Sequence, residues 1–296
     1  MTRAAMAGDI AGSRFERSIW QGETFLSATC VGYDQTDVLH DASGESASAF
    51  PLFQPACHAT DDSILTVAVM EWLLQGGDPR TSLRQWFRAS SKPMLFGTFF
   101  RALAATDSDS PCGSIGNGAA MRAAPIGYAA DHAAAVLELA RENAMATHTT
   151  PDAIAGAQAI ALGVFLARQG FPPGEIVREI AARFHYNLEK PLDAWRIGYR
   201  FTSACEETVP VAFRAFLESH SHTKTMRAAI SVGGDADTIA CMAGGLSGAC
   251  WGIPRGTADK VRRLAGPLMF QVVQRFEERF PGALKLAEHG TIRQVK

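Results

Sequence analysis

The stretch SVGGDADTIACMAGGLSGACWGI, residues 231–253, is the part of the sequence that most constrains the fold. Behind two glycines it places Asp235 and Asp237 directly before a run of small and apolar residues typical of a buried helix. A single aspartate here would be an ordinary helix cap, because its carboxylate accepts hydrogen bonds from the first free N–H groups. Two aspartates repel each other, so the pair predicts a counter-charge supplied by another part of the site.

A second acidic helix start has the same chemistry. The sequence ATDDSILTVAV places Thr60, Asp61 and Asp62 immediately before another apolar helix. Like DADT at 235–238, it offers a threonine hydroxyl and two carboxylates at the start of a helix. Each motif alone is an ordinary cap. Together they predict that two distant segments contribute to one site.

An acidic segment near the N-terminus extends this set. GDIAGSRFE, residues 8–16, adds Asp9 and Glu16, which lie on one helix face if the helix continues that far. The candidate oxygen ligands are Glu16, Thr60, Asp61, Asp62, Asp235, Asp237 and Thr238. Hard oxygen ligands favour Mg²⁺ or Mn²⁺ over zinc. Two such ions about 3.5–4 Å apart would balance most of the negative charge. The spacing therefore predicts a dinuclear site, with helix capping as the alternative.

The glycine-rich segment GSIGNGAAMRAAPIG, residues 113–127, has two interpretations. Backbone N–H groups around Gly113, Gly116 and Gly118 could bind an anion such as phosphate, or the segment is a flexible turn without a ligand. It lacks the lysine of a P-loop, and no strand precedes it as in a Rossmann turn. Arg122 could meet a phosphate or pair with a buried acid, and the sequence does not separate these two roles.

Composition and periodicity favour a single, compact, mostly α domain. The chain has 296 residues, of which 47% are hydrophobic and 20% charged, and helical periodicity dominates it. We expect one domain over residues 1–296, with a core at about 6–255 and a C-terminal helical tail at about 256–296. The best strand candidate, FLSATCVGY at 25–33, is weak.

Several classes of protein are disfavoured by the same composition. The formal net charge of −2 without a Lys/Arg block argues against non-specific nucleic-acid binding. The apolar stretches are too short and too rich in Gly and Ala for membrane spans, and we find no secretory signal. Six cysteines without a CxxC pair indicate a reducing compartment, so a cytoplasmic location is expected.

Taken jointly, the motifs resemble one known family. GDIAGSRFE, TDDS, GNGAAMRAAP, the TH pair at 147–148 and GGDADTIACMAGG occur in the order and spacing of the ADP-ribosylglycohydrolases, from about residue 6 to 255. The resemblance implies an all-α orthogonal bundle with two Mg²⁺ or Mn²⁺ ions at the base of a cleft. It also implies hydrolysis of the bond between the anomeric carbon of ADP-ribose and an acceptor, such as an ADP-ribosylated protein. A monomer is expected.

The same resemblance assigns roles to individual residues. Metal ligands by this resemblance are Thr60, Asp61, Asp62, Asp235, Asp237 and Thr238. Catalytic residues are Glu16, Asp62 and Asp235. Substrate-binding residues are Gly97, Thr98, Gly116, Asn117, Gly118, Met121 and His148.

Two positions depart from the family pattern, and two other functions stay open. Ser63 stands where the family usually has threonine, which keeps a hydroxyl, and Thr150 stands where close bacterial relatives often carry a second histidine.

One alternative function is an ADP-ribose-binding module without turnover. The other is a two-metal phosphohydrolase that acts on ADP-ribose 1-phosphate or on a pyrophosphate. The sequence does not identify the acceptor linkage.

Overall fold

The computed structural model describes residues 2–16, 51–106, 113–283 and 286–287. Over these residues the protein is all-α, which confirms the predicted fold class. Extended pairing within them is limited to two isolated bridges, one between Gly116 and Ala204 and one between Ile253 and Leu286. The strand candidate at 25–33 lies outside the described residues.

Helices alternate with short loops along the described chain. In chain order they are α1 (Thr2–Gly12), α2 (Asp61–Gln75), α3 (Pro79–Ala89), α4 (Thr98–Thr106), α5 (Gly118–Met121), α6 (Ile126–Ala129), α7 (Ala133–Met145), α8 (Pro151–Arg168), α9 (Pro173–Phe184), α10 (Leu192–Arg196), α11 (Cys205–Leu217), α12 (His222–Ile230), α13 (Ala236–Trp251) and α14 (Arg255–Arg279). Short 3₁₀ turns occupy Ser13–Phe15, Pro93–Leu95 and Pro281–Ala283. None of the helices in the described part of the chain is long and apolar enough to cross a membrane.

The packing of α1 against α13 forms the centre of the fold and depends on glycine. A Cβ on Gly8 would lie 1.9 Å from the carbonyl oxygen of Ala240, and one on Gly12 would lie 2.5 Å from the Cα of Asp237. The two helix backbones therefore touch, which only residues without a side chain allow. This contact places the end of α1 beside the acidic start of α13.

Helix ends follow the sequence signals closely. Helix α2 stops at Gly76 and Gly77, which have φ angles of 75° and 82°, as the glycine pair predicts. The C-terminal tail is helical from Arg255, packs against α1 and α2, and is interrupted at Gly266 before Pro267. The expected single domain over the whole chain reaches beyond the described residues and stays a prediction.

Candidate metal centre

Five carboxylates meet where α1 ends and where α2 and α13 begin. One oxygen each from Asp9, Asp62 and Asp237 lie within 4.8 Å of one another, and the same holds for Glu16, Asp235 and Asp237. Because Asp237 belongs to both groups, the two groups form adjacent positions lined by oxygen atoms. The fold thus brings together the acidic segments that the sequence singled out.

Glu16 reaches this cluster by a route that the sequence did not predict. Helix α1 ends at Gly12, and the 3₁₀ turn Ser13–Phe15 follows it, so the helix does not continue to Glu16 and the two acids do not share one helix face. After Gly12 the backbone changes from an α-helix to the tighter 3₁₀ conformation. Glu16 then follows in extended conformation and is less buried than the aspartates.

Asp9 anchors the start of α2. Its Oδ2 accepts hydrogen bonds from the backbone N–H groups of Thr60 and Ser63, each at 3.1 Å, and from the Ser63 hydroxyl. Its Oδ1 accepts from the Thr60 hydroxyl at 2.7 Å. Four donors occupy most of the accepting capacity of this carboxylate. Asp9 therefore orients the segment at 60–63. The sequence analysis did not predict this role, although the position of Asp9 in the motif GDIAGSRFE could have indicated it.

Asp62 retains accepting capacity that Asp9 lacks. Its Oδ2 accepts from the hydroxyl of Thr238 at 3.2 Å, which links the two acidic helix starts directly. Its Oδ1 is buried and has no hydrogen-bond partner among the described residues. A buried carboxylate oxygen without a donor is costly unless a cation neutralises it. Asp62 is thus suited to bind a positive ion.

The start of α13 is not an ordinary cap. Asp235 occupies the N-cap position, yet its side chain makes no capping hydrogen bond. Its Oδ2 instead accepts from the side-chain amide of Asn117 at 2.7 Å, and that amide also donates to Thr208 at 3.3 Å. Asp237 accepts from the backbone N–H of Thr238 at 2.9 Å. Capping alone therefore does not account for Asp235.

Burial strongly disfavours the charged form of these carboxylates. It raises the pKa of Asp9 and of Asp235 to about 6. Burial, together with the negative charge of neighbouring carboxylates, raises the pKa values of Asp61, Asp62 and Asp237 well above the usual range. Within the described residues, no salt bridge reaches any of these groups. The cluster is short of positive charge, which fits a cation site.

The glycine segment lies beside Asp235 and holds several predicted substrate residues. It runs next to the segment at 203–205, where the N–H of Asn117 donates to the carbonyl of Ser203 at 2.7 Å. The ring of His148 packs on the segment, because a Cβ on Gly118 would lie 3.2 Å from its Cε1. Gly116, Asn117, Gly118 and His148 are thus close together.

Arg122 forms no salt bridge with an acid in the described part of the chain, although the negative charge of Asp61 partly opposes the lowering of its pKa by burial. Its side chain is fully buried, so it is not placed to meet a phosphate from solvent. It donates to the side-chain and backbone oxygens of Asn143, each at 2.9 Å, to the Gly118 carbonyl at 3.0 Å and to the Thr147 hydroxyl at 2.7 Å. All four acceptors are neutral. Arg122 therefore organises the segments that carry Gly118 and His148.

The remaining predicted substrate residues have less informative surroundings. Gly97 and Thr98 are exposed where α4 begins, and the Thr98 hydroxyl accepts from Arg101 at 3.2 Å. Met121 is buried in the core, and its carbonyl accepts from the Cys241 thiol at 3.4 Å. Their assignment to the substrate stays a prediction.

Comparison with known proteins identifies relatives of one family. The family model described as ADP-ribosylglycohydrolase matches residues 2–288. ADP-ribosylhydrolase ARH3 of Mus musculus is 33% identical over 186 residues, covering 48% of this chain and 50% of its own. The human ARH3 is 30% identical over 186 residues, covering 48% and 51%. The chain spans about half the length of the curated relatives it matches.

Two further matches come from an archaeal protein and from a solved structure. An uncharacterized protein of Archaeoglobus fulgidus is 33% identical over 147 residues, covering 45% of this chain and 48% of its own. A solved structure titled ADP-ribosylglycohydrolase-related protein complex aligns with a TM-score of 0.68 at 20% identity and covers 96% of both chains. At that identity the structural match shows a shared fold.

Proposed function

The chain belongs to the ADP-ribosylglycohydrolase family, and from that premise we propose that it is a metal-dependent hydrolase. It cleaves the bond between the anomeric carbon of ADP-ribose and an acceptor, and it releases ADP-ribose. The observation that carries this proposal is that two groups of three carboxylates, Asp9 with Asp62 and Glu16 with Asp235, share Asp237 and are buried except for the partly exposed Glu16. An ADP-ribosylated protein is the proposed substrate, and two Mg²⁺ or Mn²⁺ ions are the proposed cofactors.

The donor set supports this choice of cofactor. The residues that would hold the ions are Thr60, Asp61, Asp62, Asp235, Asp237 and Thr238. They offer only hard oxygen ligands, which suit Mg²⁺ and Mn²⁺. The raised carboxylate pKa values and the unpartnered Oδ1 of Asp62 both indicate that positive charge is needed here. When bound, divalent cations supply Lewis-acid charge that holds hydroxyl oxygens and lowers the pKa of water.

The carboxylates would act on the reacting ribose directly. Hydrolysis breaks the bond from the anomeric carbon to the acceptor and forms a bond to the oxygen of water. One proton of that water passes through a carboxylate to the leaving group. Positive charge develops on the sugar ring in such a transition state, and Glu16, Asp62 and Asp235 stabilise it. Glu16, the least buried of the three, orients the water or contacts the ribose.

The glycine segment would hold the nucleotide. Gly116, Asn117 and Gly118, together with Gly97 and Thr98, are proposed to bind the diphosphate and the distal ribose, and His148 the nucleotide side. The hydrogen bond from Asn117 to Asp235 supports this arrangement, because it joins the proposed nucleotide segment to the proposed metal centre. Correct positioning of substrate beside the reacting groups is itself a large catalytic term.

A panel of ADP-ribose conjugates tests the proposal. The protein is incubated with ADP-ribose linked to arginine, serine, acetate or phosphate, each with and without EDTA. We expect at least one conjugate to release free ADP-ribose in a reaction that EDTA stops. Release of AMP, or turnover of the phosphate conjugate in ¹⁸O-labelled water that places the label in phosphate and not in ADP-ribose, would instead indicate a phosphohydrolase. Tight binding of ADP-ribose without any product would indicate a binding module and overturn the proposal.

A further inference from the structure

A chain of hydrogen bonds runs from Arg122 to the ring of His148. The guanidinium of Arg122 donates to the Thr147 hydroxyl at 2.7 Å, and the same hydroxyl lies 2.7 Å from Nδ1 of His148. Arg122 is fully buried, and Thr147 and His148 are almost fully buried, with 4% and 8% of their surfaces exposed. Water therefore has little access to this chain, and the protein groups decide where its protons lie.

The direction of each hydrogen bond follows from the chemistry of the three side chains. A guanidinium has only donors, so the Thr147 oxygen must accept from Arg122. The single hydroxyl proton of Thr147 then needs an acceptor, and among its described hydrogen-bond contacts only Nδ1 of His148 can accept it. Nδ1 therefore carries a lone pair. In a neutral imidazole the proton must then be on Nε2.

Two conditions keep the imidazole neutral. Burial, and after it the positive charge of Arg122, lowers the pKa of His148 to about 3. Protonating Nδ1 would also place its N–H against a hydroxyl that is already donating toward it. The ring consequently has one tautomer and one charge state over the ordinary working range of pH.

The edge of the ring that carries Cε1 and Nε2 lies against the glycine segment. Nε2 would lie 3.4 Å from a Cβ on Gly118 and 3.7 Å from one on Gly116, so the lack of side chains there leaves this nitrogen uncovered. The described hydrogen bonds of His148 engage Nδ1 and the backbone, and they leave Nε2 without a partner among the described residues. His148 Nε2 is not among the fully buried unpartnered atoms of the described residues, so its N–H is accessible and can donate to a ligand that lies on the glycine segment.

We propose that Arg122 and Thr147 are positioning residues that lock His148 in the neutral tautomer with its proton on Nε2. His148 then acts only as a hydrogen-bond donor beside the glycine segment. It recognises a nucleotide oxygen or nitrogen that accepts a hydrogen bond, and it does not bind a ligand amino group at this position. The identity of the ligand as ADP-ribose rests on the proposed function, whereas the tautomer lock does not.

Nitrogen NMR tests the lock without substrate or turnover. In the ¹⁵N-labelled full-length protein, long-range proton–nitrogen correlations distinguish protonated from bare ring nitrogens. The signal of His148, one of eight histidines, is identified by its absence in His148→Gln. We expect a bare Nδ1 and a protonated Nε2 that do not change between pH 5.5 and pH 8, because the pKa of His148, about 3, lies well below this range. A protonated Nδ1 would overturn the proposal.

Three variants separate the lock from general structural effects. Thr147→Val removes the hydroxyl, so the His148 signals should shift toward a mixture of tautomers, whereas Thr147→Ser should restore the wild-type pattern. Thr225→Val is the matched control, because the buried Thr225 hydroxyl donates to the carbonyl of Ser221 and has no hydrogen bond to a histidine ring among the described residues. An unchanged His148 tautomer in folded Thr147→Val would overturn the proposal. If Thr147→Val does not fold, a wild-type tautomer in Thr147→Ser is still required.

Binding measurements then connect the lock to ligand recognition. Calorimetric titration with ADP-ribose, AMP and adenosine should show about tenfold weaker binding in Thr147→Val for each ligand that contains the contacted acceptor. The smallest ligand that loses affinity locates that acceptor in the nucleotide. Equal affinities in Thr147→Val and wild type would refute the role in recognition. A wild-type protein that binds none of the three while showing the expected tautomer would refute the proposed function and leave the lock intact.

Discussion

The two acidic helix starts, at 60–62 and at 235–238, carry nearly the same residue types, but the fold holds them in different ways. At α2 the cap is Thr60, whose hydroxyl accepts from the N–H of Asp62, and Asp9 of α1 fixes the segment through four donors. At α13 the carboxylate of Asp235 does no capping and is held by the amide of Asn117.

This difference shows that two segments with nearly the same residue types are held in place by different parts of the protein. The first start is fixed by another acid of the same cluster, so its geometry is set within the metal centre. The second depends on a residue of the glycine segment, so its geometry responds to the part of the protein proposed to bind nucleotide. Asn117 is therefore the structural link between the two proposed functions of the site.

A third helix start shows what an ordinary cap looks like. Asp78 at α3 is exposed and accepts from the N–H of Arg80 at 2.9 Å. Although partial burial opposes it, the hydrogen bonds and charge of Arg80 lower the pKa of this carboxyl. The aspartates of the cluster have raised pKa values instead. Asp78 is thus a matched control for the two acidic starts.

The largest expected effect is the loss of either acidic start. Asp61→Asn and Asp235→Asn should each lower kcat by about 10⁴, the upper end of the range for a positioned acid or base, and abolish stabilisation by Mg²⁺. Asn caps helices about as well as Asp, so Asp78→Asn should change neither quantity. The measurements are kcat and the melting temperature with and without Mg²⁺. Full activity in Asp61→Asn or in Asp235→Asn would contradict the assignment of that residue as a metal ligand.

A smaller loss is expected at Glu16, which the start at 235–238 approaches through Asp235 and Asp237. Glu16→Gln should lower kcat by about 10³ and keep ADP-ribose affinity within a few-fold, because the carboxylate acts in the transition state. Glu175→Gln, at an exposed glutamate, is the control. Steady-state kinetics and ligand titration separate the two quantities. If Glu16→Gln turns over at the normal rate, Asp9 or Asp62 must supply the carboxylate.

The residues that hold the two acidic starts, Asp9 at 60–62 and Asn117 at 235–238, provide the next test. Asn117→Ala removes the only described donor that crosses from the glycine segment to Asp235, so Mg²⁺ affinity should fall about tenfold. Ser63→Ala removes one of four donors to Asp9, so it should cost about 1 kcal/mol of stability and change Mg²⁺ affinity by only a few-fold. Asn187→Ala, at an exposed asparagine, should change neither. Equal losses of Mg²⁺ affinity in Asn117→Ala and Ser63→Ala would show that the two acidic starts do not differ in how they depend on the residues that hold them.

The smallest expected effect is the dependence of stability on pH and metal. The carboxylate pKa values are raised in the folded protein, so the metal-free fold binds more protons than the unfolded chain, and this contribution to stability falls as pH rises from about 4 through 6. The gain in melting temperature on adding Mg²⁺ should therefore grow with pH over that window. A gain independent of pH, measured by calorimetry, would argue against a buried acidic cation site.

A histidine distant from both starts has the opposite dependence and must be separated from it. Burial lowers the pKa of His222 to about 3, so the folded protein keeps this ring neutral while the unfolded chain protonates it below about pH 6.5. Its contribution to stability is lost as pH falls. Comparing each pH with and without Mg²⁺ cancels this term, because the His222 ring bonds to Ser247 and belongs to neither carboxylate group of the proposed metal centre.

Much of the fold could be predicted from local patterns, and the errors lie where tertiary contacts decide. The apolar periodicity predicted α2, and the Gly76 and Gly77 pair predicted its end. The helix face shared by Asp9 and Glu16, which depended on the helix continuing to Glu16, is not formed, because the chain leaves the α-helix at Ser13–Phe15. The partners of Arg122 were unpredictable for another reason. Its acceptors lie up to 25 residues away and are neutral groups that no charge pattern indicates.

By itself the sequence determined the helical class, the family and the residue types of the site. Those properties follow from periodicity and from motif chemistry, which are local. The tertiary structure alone decided that Asp9 accepts from four donors while one oxygen of Asp62 has no described donor, and that Asn117 holds Asp235 across 118 residues of chain. The physical reason is that accepting capacity and burial depend on which groups meet. In this protein they meet because Gly8 and Gly12 let α1 and α13 touch.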